Sequence, residues 1–185
     1  LKGNGPKDLT ELSVQLAGGM IHLAGIAKTP EKGVSMARKA LKDGSGLEKF
    51  RQLLKAQGGD PRYIDDYSLF PVAKHQTDIL AHKAGYIASM DCKAVGMLNV
   101  LLGGGRRKSS DPIDFGVGFI FKNKIGSKVK KGDVIATIYH NKDQSKMVDQ
   151  IQEDFKNSVV KISATKSKGP DLIREVKIYF PKKSK

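Results

Sequence analysis

The sequence is poor in the residues that build disulfides, metal sites and aromatic binding surfaces. Its 185 residues include one cysteine, no tryptophan and only 6% aromatic residues. Because Cys92 has no second cysteine to pair with, an internal disulfide and a cysteine-based zinc site are excluded, and a reducing cytoplasm is the expected location. The histidines show no metal-ligand spacing, so we predict no metal site; they are His22, His75, His82 and His140.

Long apolar runs are also missing from the chain. No run approaches the roughly 20 apolar residues that a membrane-spanning helix needs. The first apolar stretch is amphipathic and lacks the cleavage-site pattern of a signal peptide, so we predict no membrane partner. The sequence begins with Leu1 rather than Met, from which we expect a fragment or a processed product of a longer protein.

Acidic residues are few compared with basic ones. The chain has 33 lysines and arginines against 19 aspartates and glutamates, which gives a net charge of +14. Such an excess is typical of proteins that bind nucleic acid or another polyanion. However, the lysines are scattered, and no recognition helix, RNP motif or zinc finger is present. A lysine-rich proteome, or an enzyme that handles anionic substrates, is therefore the favoured explanation of the charge.

The most informative stretch is residues 90–118, which combine a capped helix, a glycine loop, a basic turn and a strand. Asp91 is placed to cap the helix N-terminus. Gly103, Gly104 and Gly105 are predicted to end the helix, because glycine adopts a positive φ without a Cβ penalty. The apolar stripe predicted for this helix is Val95, Leu98, Val100, Leu101 and Leu102.

Basic residues follow the glycines directly. Backbone N–H groups of the loop and the cations of Arg106 and Arg107 are groups that bind phosphate. The loop lies at a helix C-terminus, however, which is the unfavourable pole for an anion. A tight turn is therefore the favoured interpretation, in which Arg106 pairs with Asp111 or Asp114 and holds the loop in place.

Three amphipathic helices are predicted before residue 58. The first covers about residues 6–27, and its Gly18 and Gly19 are predicted to pack close to another backbone. We expect His22, near its apolar face, to be a satisfied boundary histidine. The second helix starts with Thr29 as N-cap and Pro30 as first residue.

The third helix is predicted over residues 47–57. Ser45 is its expected N-cap, and Glu48 stands at the capping-box spacing. Its predicted buried stripe consists of Leu47, Phe50, Leu53 and Leu54.

The connector that follows, residues 58–76, is rich in glycine, proline and aspartate. Asp60, Asp65 and Asp66 match no calcium-loop spacing, so turn and cap duties are predicted for them. Beyond it, residues 78–81 and 86–90 read as two strands around a turn.

The last third of the chain alternates strands and turns with one helix. Residues 125–138 have the glycine and valine spacing of biotinyl and lipoyl carrier domains but lack the tripeptide that contains their modified lysine. The similarity therefore concerns the form of the β-sandwich and not the activity. Asp143 is predicted to cap a helix that runs to about residue 156. Residues 159–162 and 172–178 are predicted strands, and residues 182–185 a solvated basic tail.

The motif of residues 102–118 resembles the C-terminal region of the thymidine and pyrimidine-nucleoside phosphorylases. That family has Leu/Met-Gly-Ala/Gly-Gly-Arg, a polar spacer, Ile-Asp and then Val-Gly. The resemblance continues through residues 1–12, 56–60 and 125–140 and covers nearly all of the chain. The matching residues are Leu102-Gly103-Gly104-Gly105-Arg106, Ile113-Asp114 and Val117-Gly118.

The resemblance implies an α+β fold that is part of an α/β phosphorylase domain. A helical N-terminal segment is followed by a small β-rich, sandwich-like C-terminal domain. Residues 1–57 are the expected helical segment of the larger α/β domain, residues 58–76 a connector, and residues 77–185 the β-rich domain. The expected site is a loop that lies toward the substrate cleft, formed by Gly103, Gly104, Gly105, Arg106 and Arg107.

The implied activity is reversible phosphorolysis of a pyrimidine nucleoside, with inorganic phosphate as co-substrate and no cofactor. The family's Lys-His-Ser-Thr-Gly-Gly phosphate loop, its base-binding Tyr/Arg pair and its Ser-x-x-x-Lys helix match no position here. We therefore expect no catalytic or substrate-binding residue in this chain, which would be inactive without the N-terminal lobe and homodimeric at full length. Thymidine-only and broad pyrimidine specificity both stay open.

Two other functions compete with the phosphorylase interpretation. The first is a free-standing basic module that binds nucleic acid or another polyanion. A salt-dependent affinity for nucleic acid would support it. The second is a carrier-like interaction domain, which a modification of Lys130 or Lys131 would support.

Overall fold

The computed structural model describes residues 1–141 and 145–177 of the chain. The chain forms two compact units, one of Leu1–Tyr67 with residues 171–177, the other of Ser68–Pro170. The division falls inside the predicted connector, residues 58–76. Residues 171–177 belong to the helical unit, whereas the resemblance implied that all of residues 77–185 form the β-rich domain.

The first unit is helical, as the apolar periodicity predicts. Helix α1 covers Lys7–Leu23, α2 covers Pro30–Lys42 and α3 covers Ser45–Ala56. A short 3-10 helix follows, Pro61–Ile64, and a second one, Tyr67–Leu69, contains the residue at which the division falls. Among the described residues, no helix combines the length and the apolar character that crossing a bilayer requires.

Glycine brings α1 and α2 into backbone contact. A Cβ on Gly18 would lie 2.5 Å from the backbone nitrogen of Val34. A Cβ on Gly33 would overlap the carbonyl oxygen of Gly18 and lie 3.0 Å from its carbonyl carbon. The predicted close approach at Gly18 is therefore confirmed, whereas a Cβ on Gly19 would meet open space.

The helix starts follow local cap chemistry, with one exception. Thr29 accepts a hydrogen bond from the backbone N–H of Lys32 at 3.3 Å, and Pro30 is the first residue of α2, as predicted. The predicted capping box of α3 is wrong. Its N-cap is Gly44, at a φ of +77°, and Ser45 donates from its backbone N–H and its hydroxyl to the Asp43 carboxylate, at 3.0 and 2.6 Å.

The apolar stripe of α3 is not buried as predicted. No residue of this helix is buried, and Phe50 and Leu53 are 42% and 50% exposed. Within the described part of the helical unit, the main neighbours of α3 are α2 and the Pro61–Ile64 turn. This packing leaves part of the predicted stripe in solvent.

The second unit contains two three-stranded antiparallel sheets and two helices. One sheet has the strand order β1-β5-β3 and the other the order β4-β2-β6. This mixture confirms the predicted α+β class. The strands are β1 His75–Leu80, β2 Gly85–Met90, β3 Gly118–Phe121, β4 Lys128–Val129, β5 Val134–His140 and β6 Val160–Ser163; the helices are α4 Cys92–Leu101 and α5 Ser145–Asp154, which continues as a π-helix over Phe155–Val159.

The strands β1 and β2 exist as predicted but do not pair with each other. In β1, Thr77 lies opposite Ile138, and in β2, Ile87 lies opposite Ile162. The turn between them is held elsewhere, since Ala81 exchanges two backbone hydrogen bonds with Asp133 and Gly132, each 2.8 Å long. With these bonds the chain passes from the sheet that contains β1 to the sheet that contains β2, and the two strands do not form a hairpin.

The core of this unit lies between the sheets and the two helices. Its fully buried side chains include Ile87, Leu102, Ile138, Ile151 and Phe155. The strand predicted over residues 159–162 is confirmed as β6.

The strand predicted over residues 172–178 is wrong for residues 172–177. That segment has no regular structure, because it lies along α1 and lines a groove with Leu16 and Met20 instead of joining a sheet. Ile178, the predicted cap Asp143 and the predicted tail, residues 182–185, lie outside the described residues.

Candidate functional site

Helix α4 carries the glycine loop at its C-terminal end. Asp91 accepts a hydrogen bond from the backbone N–H of Ala94 at 2.9 Å, which confirms it as the N-cap. Leu98 and Leu102 are buried, while Leu101 is exposed, so the stripe is narrower than predicted. Two buried leucines one turn apart fix the end of the helix from which the loop starts.

The glycines end the helix by the predicted mechanism. Gly103 has a φ of +94°, a conformation that a side chain would strain. The backbone N–H of Gly104 donates to the carbonyl oxygen of Asn99 at 2.9 Å, and the Asn99 amide donates in return to the carbonyl oxygen of Gly104 at 3.2 Å. A Cβ on Gly104 would lie 2.6 Å from that amide nitrogen, so a side chain there would displace the Asn99 amide from this contact.

The loop is closed at its neck and organised at its tip. The backbone N–H of Asp114 donates to the carbonyl oxygen of Gly103 at 2.9 Å. At the tip, one Asp111 carboxylate oxygen accepts from the backbone N–H groups of Arg107 and Lys108, at 3.0 and 2.9 Å. Residues 103–114 therefore form a loop whose backbone is bonded at both ends.

The predicted ion pair of Arg106 with Asp111 or Asp114 is wrong. In the ranges 1–141 and 145–177, no ion pair joins Arg106 to either carboxylate. Asp111 is occupied by backbone donors, and Asp114 by a backbone and an amide donor. The loop thus presents an exposed basic tip, formed by Arg106, Arg107 and Lys108.

Asp114 and Asn141 tie the base of the loop to two other segments. One Asp114 oxygen accepts from the backbone N–H of Gly116 at 2.9 Å, and the other accepts from the Asn141 amide at 2.5 Å. The Asn141 carbonyl oxygen in turn accepts from the backbone N–H of Lys74 at 3.1 Å. Sequence reasoning missed Asn141, because an asparagine after a strand reads only as a turn residue.

Gly116 brings the base of the loop against the segment that leads into β1. A Cβ on Gly116 would lie 3.0 Å from the backbone nitrogen of Ala73 and 3.1 Å from the carbonyl carbon of Val72. A side chain at residue 116 would therefore require the Val72–Ala73 backbone to give by a few tenths of an ångström.

Of the connector aspartates, Asp60 serves the predicted cap duty, whereas Asp65 forms an ion pair with Arg51. Asp60 caps the Pro61–Ile64 helix through the backbone N–H of Arg62. The Arg51 guanidinium donates two hydrogen bonds to Asp65, at 2.8 and 3.0 Å, and these bonds lower the pKa of the Asp65 carboxyl below its ordinary value. The pKa of Asp60 is lowered in the same way by hydrogen bonds from Arg62.

Three of the four histidines lie in structural contacts. His22 Nδ1 is 2.9 Å from the carbonyl oxygen of Ala27, which confirms the satisfied boundary histidine. His140 stacks on His75 with ring centroids 5.5 Å apart, and its Nε2 is 2.9 Å from the hydroxyl of Thr77. The described part of the chain contains no group of three or more His, Cys, Asp or Glu residues that could hold a metal ion.

The chemistry that this arrangement offers is anion binding by the basic tip. Guanidinium groups form paired hydrogen bonds with phosphate or carboxylate oxygens, and here they project from a loop with a fixed backbone. The pocket next to α4 is different in character, since it is about 330 Å³ in volume and mostly apolar, between Met90, Cys92 and Phe121.

Comparison with known proteins places the loop inside a described domain. Residues 86–160 match the family model of the pyrimidine nucleoside phosphorylase C-terminal domain. Pyrimidine-nucleoside phosphorylase of Geobacillus stearothermophilus is 40% identical over 173 residues, which are 94% of this chain and 39% of that protein. The enzyme of the same name from Bacillus subtilis is 38% identical over 173 residues, with the same coverage of 94% and 39%. The chain thus spans about two fifths of the length of the curated relatives it matches.

Proposed function

Because this chain belongs to the pyrimidine-nucleoside phosphorylase family and carries its C-terminal domain, we propose that it is part of an enzyme that phosphorolyses pyrimidine nucleosides. Inorganic phosphate attacks the sugar, the pyrimidine base leaves, and a pentose 1-phosphate forms. The observation that carries the proposal is the 40% identity across 94% of the chain. The groups that bind phosphate and base belong to the rest of that enzyme, a cytoplasmic homodimer.

Within that enzyme, the glycine loop faces the substrate cleft and takes part in its closure. Two features support this role. The loop backbone is bonded at its neck through Gly103 and Asp114, so it moves as one piece. Its exposed guanidinium groups, on Arg106 and Arg107, are not neutralised by the loop's own carboxylates, and an anionic co-substrate is what such groups attract.

The overall proposal is tested by phosphorolysis with the complete gene product. The intact mass of that product in its own cells is expected to be more than twice the 20.1 kDa of this chain. Thymidine and uridine are then assayed with inorganic phosphate, and release of free base from either supports the proposal. A stable 20.1 kDa product, or a longer one that releases no base, argues against it.

The loop's role is tested by Arg106→Ala in the complete enzyme. We expect kcat/KM to fall by about tenfold, because one charge-assisted contact to an anion is lost. Arg174→Ala is the matched control, since Arg174 is also exposed but lies in the helical unit. If Arg106→Ala leaves kcat and KM as they are in the parent enzyme, the loop has no role at the cleft.

A basic binding module is the second candidate function, and the net charge of +14 favours it. Polyanion binding by scattered lysines depends steeply on salt, because counterions are released on contact. Affinity for a DNA duplex of arbitrary sequence, measured at low and at near-physiological salt, separates this candidate from the phosphorylase. A steep loss of affinity with salt supports it, and no measurable binding at low salt excludes it.

A further inference from the structure

Two residues far apart in sequence hold the base of the glycine loop. We propose that Asp114 and Asn141 are positioning residues, a pair that fixes the loop in the orientation that phosphorolysis requires. The inference rests on the proposed function, because it concerns the same loop in the same reaction. It adds to that function the hydrogen-bonded pair on which the loop's placement depends.

The pair uses its polar groups fully. Asp114 accepts with both carboxylate oxygens, from Gly116 and from Asn141, and Asn141 uses its amide as donor to Asp114 and as acceptor from Lys74. The bond between the two side chains is 2.5 Å long and partly buried, and bonds to an ionised acceptor are roughly twice as strong as neutral ones. One side-chain pair therefore connects the loop, the end of β5 and the entry to β1.

Because Asp114 lies at the neck of the loop, the pair determines the orientation of the loop. The Asp114 side chain accepts a hydrogen bond from Asn141, and the Asp114 backbone N–H closes the neck by donating to Gly103. The tip is bonded internally through Asp111, so it follows the neck as a unit. A small rotation at Asp114 is thus carried to Arg106 and Arg107 at the other end of the loop.

A reciprocal exchange tests the pair without removing its hydrogen bonds. The variants are Asp114→Asn, Asn141→Asp and the double variant, made in the complete enzyme. In the double variant, the new amide at 114 donates to the new carboxylate at 141. The backbone N–H groups of Gly116 and Lys74 still find acceptors, so the three bonds described for the pair each have a counterpart.

The single variants are expected to fail in different ways. Asn141→Asp places two carboxylates in contact, and like charges there raise the pKa of one of them, so a proton must be taken up. At about pH 7.5 we expect kcat/KM to fall about tenfold to a hundredfold, because a misplaced loop is costly, and to recover partly as the pH is lowered. Asp114→Asn is expected to lose activity without that recovery at lower pH.

The double variant decides the proposal. We expect it to return kcat/KM to within about threefold of the parent enzyme, with a parent-like pH profile. Amide hydrogen exchange of residues 103–114 is measured on the same four proteins, with faster exchange expected in the single variants and parent-like exchange in the double one. Single variants that change neither readout, or a double variant as impaired as the singles, overturn the proposal.

The two readouts also separate this inference from the proposed function. A parent enzyme that releases no base from thymidine or uridine contradicts the proposed function, and hydrogen exchange then decides whether the pair fixes the loop. Faster exchange with unchanged kcat/KM overturns the positioning role in phosphorolysis while leaving the enzyme assignment intact.

Discussion

Gly33 of α2 packs directly on the backbone of Gly18 in α1, so that a Cβ at Gly33 would overlap the Gly18 carbonyl oxygen. Between backbones this close, neither helix has a flexible side chain that could yield. The crossing therefore depends on the absence of two methyl groups rather than on the presence of any large residue.

The first prediction concerns this crossing. Gly33→Ala should destabilise the chain by about 1–3 kcal/mol, because overpacking forces the helices apart. Gly19→Ala, in the same helix as Gly18 but facing open space, should stabilise it by up to about 1 kcal/mol through helix propensity. Urea unfolding followed by circular dichroism measures both. A Gly33→Ala midpoint at or above that of the parent chain would contradict the packing argument.

The second prediction concerns the core of the β-containing unit. Phe155 is 1% exposed, and the rings of Phe119 and Phe121 lie 5.5 and 6.2 Å from its own. Phe155→Ala should cost about 3–5 kcal/mol of unfolding free energy, since it removes a buried ring and leaves a cavity. Phe115→Ala removes a ring that is 78% exposed and should stay within about 0.5 kcal/mol. Equal unfolding midpoints for the two variants would refute the assignment of this core.

The third prediction concerns Asn99 beneath the glycine turn. Its amide donates to Gly104, but its buried Oδ1 has no hydrogen-bond partner among the described residues. Asn99→Ala removes a useful bond and an unpaired acceptor together, so stability should change by less than about 1 kcal/mol.

Loop protection in the same Asn99→Ala variant should fall even though its stability hardly changes. Trypsin should cleave faster after Arg106, Arg107 or Lys108, because the turn that carries them has lost a tether. Cleavage at Lys161, in β6, serves as the internal reference. An unchanged ratio of loop to reference cleavage would show that the Asn99 amide does not restrain the turn.

The fourth prediction concerns pH. The pKa of Asp65 is lowered in the folded chain, chiefly by its hydrogen bonds with Arg51. Its stabilising contribution is therefore present above the unfolded-state pKa of about 3.9 and is lost as the pH falls through the lower, folded-state pKa. Asp65→Asn lacks this contribution at every pH.

Thermal unfolding from neutral to strongly acidic pH checks this expectation. The parent chain should melt above Asp65→Asn at neutral pH, and the two curves should converge below about pH 4. Both side chains are partly exposed, so the gap should be small and should narrow further in about 1 M salt. A gap that widens toward acid would reverse the assigned direction of the pKa shift.

Local chemistry made much of the fold predictable. Thr29, Pro30 and Asp91 mark helix starts through groups within three residues of the cap, so the sequence reveals them. The start of α3 was misplaced because Asp43 competes for Ser45, and both residues are legitimate cap formers. Strand pairing was the larger error, since β1 and β2 are neighbours in sequence yet take partners that lie between 42 and 77 residues away.

The glycine turn was predictable from the sequence, but the hydrogen bonds that hold the loop were not. The three glycines and the basic residues identify the loop from sequence alone, and its turn is confirmed. The partner of Asp114 was not predictable, because Asn141 lies 27 residues away. Charge complementarity suggested Arg106 as the partner instead. The carboxylates of Asp111 and Asp114 accept hydrogen bonds from backbone and amide donors, not from this cation.

The sheet order β1-β5-β3 has a consequence for how the chain is made. Asp78 of β1 bonds to Thr137 of β5, which is synthesised 59 residues later. At ribosomal rates of about 5–20 residues per second, β1 waits for seconds with both edges unpaired. Any pause within residues 81–133 prolongs that wait, so codon usage there should affect the yield of folded protein more than it does after residue 163.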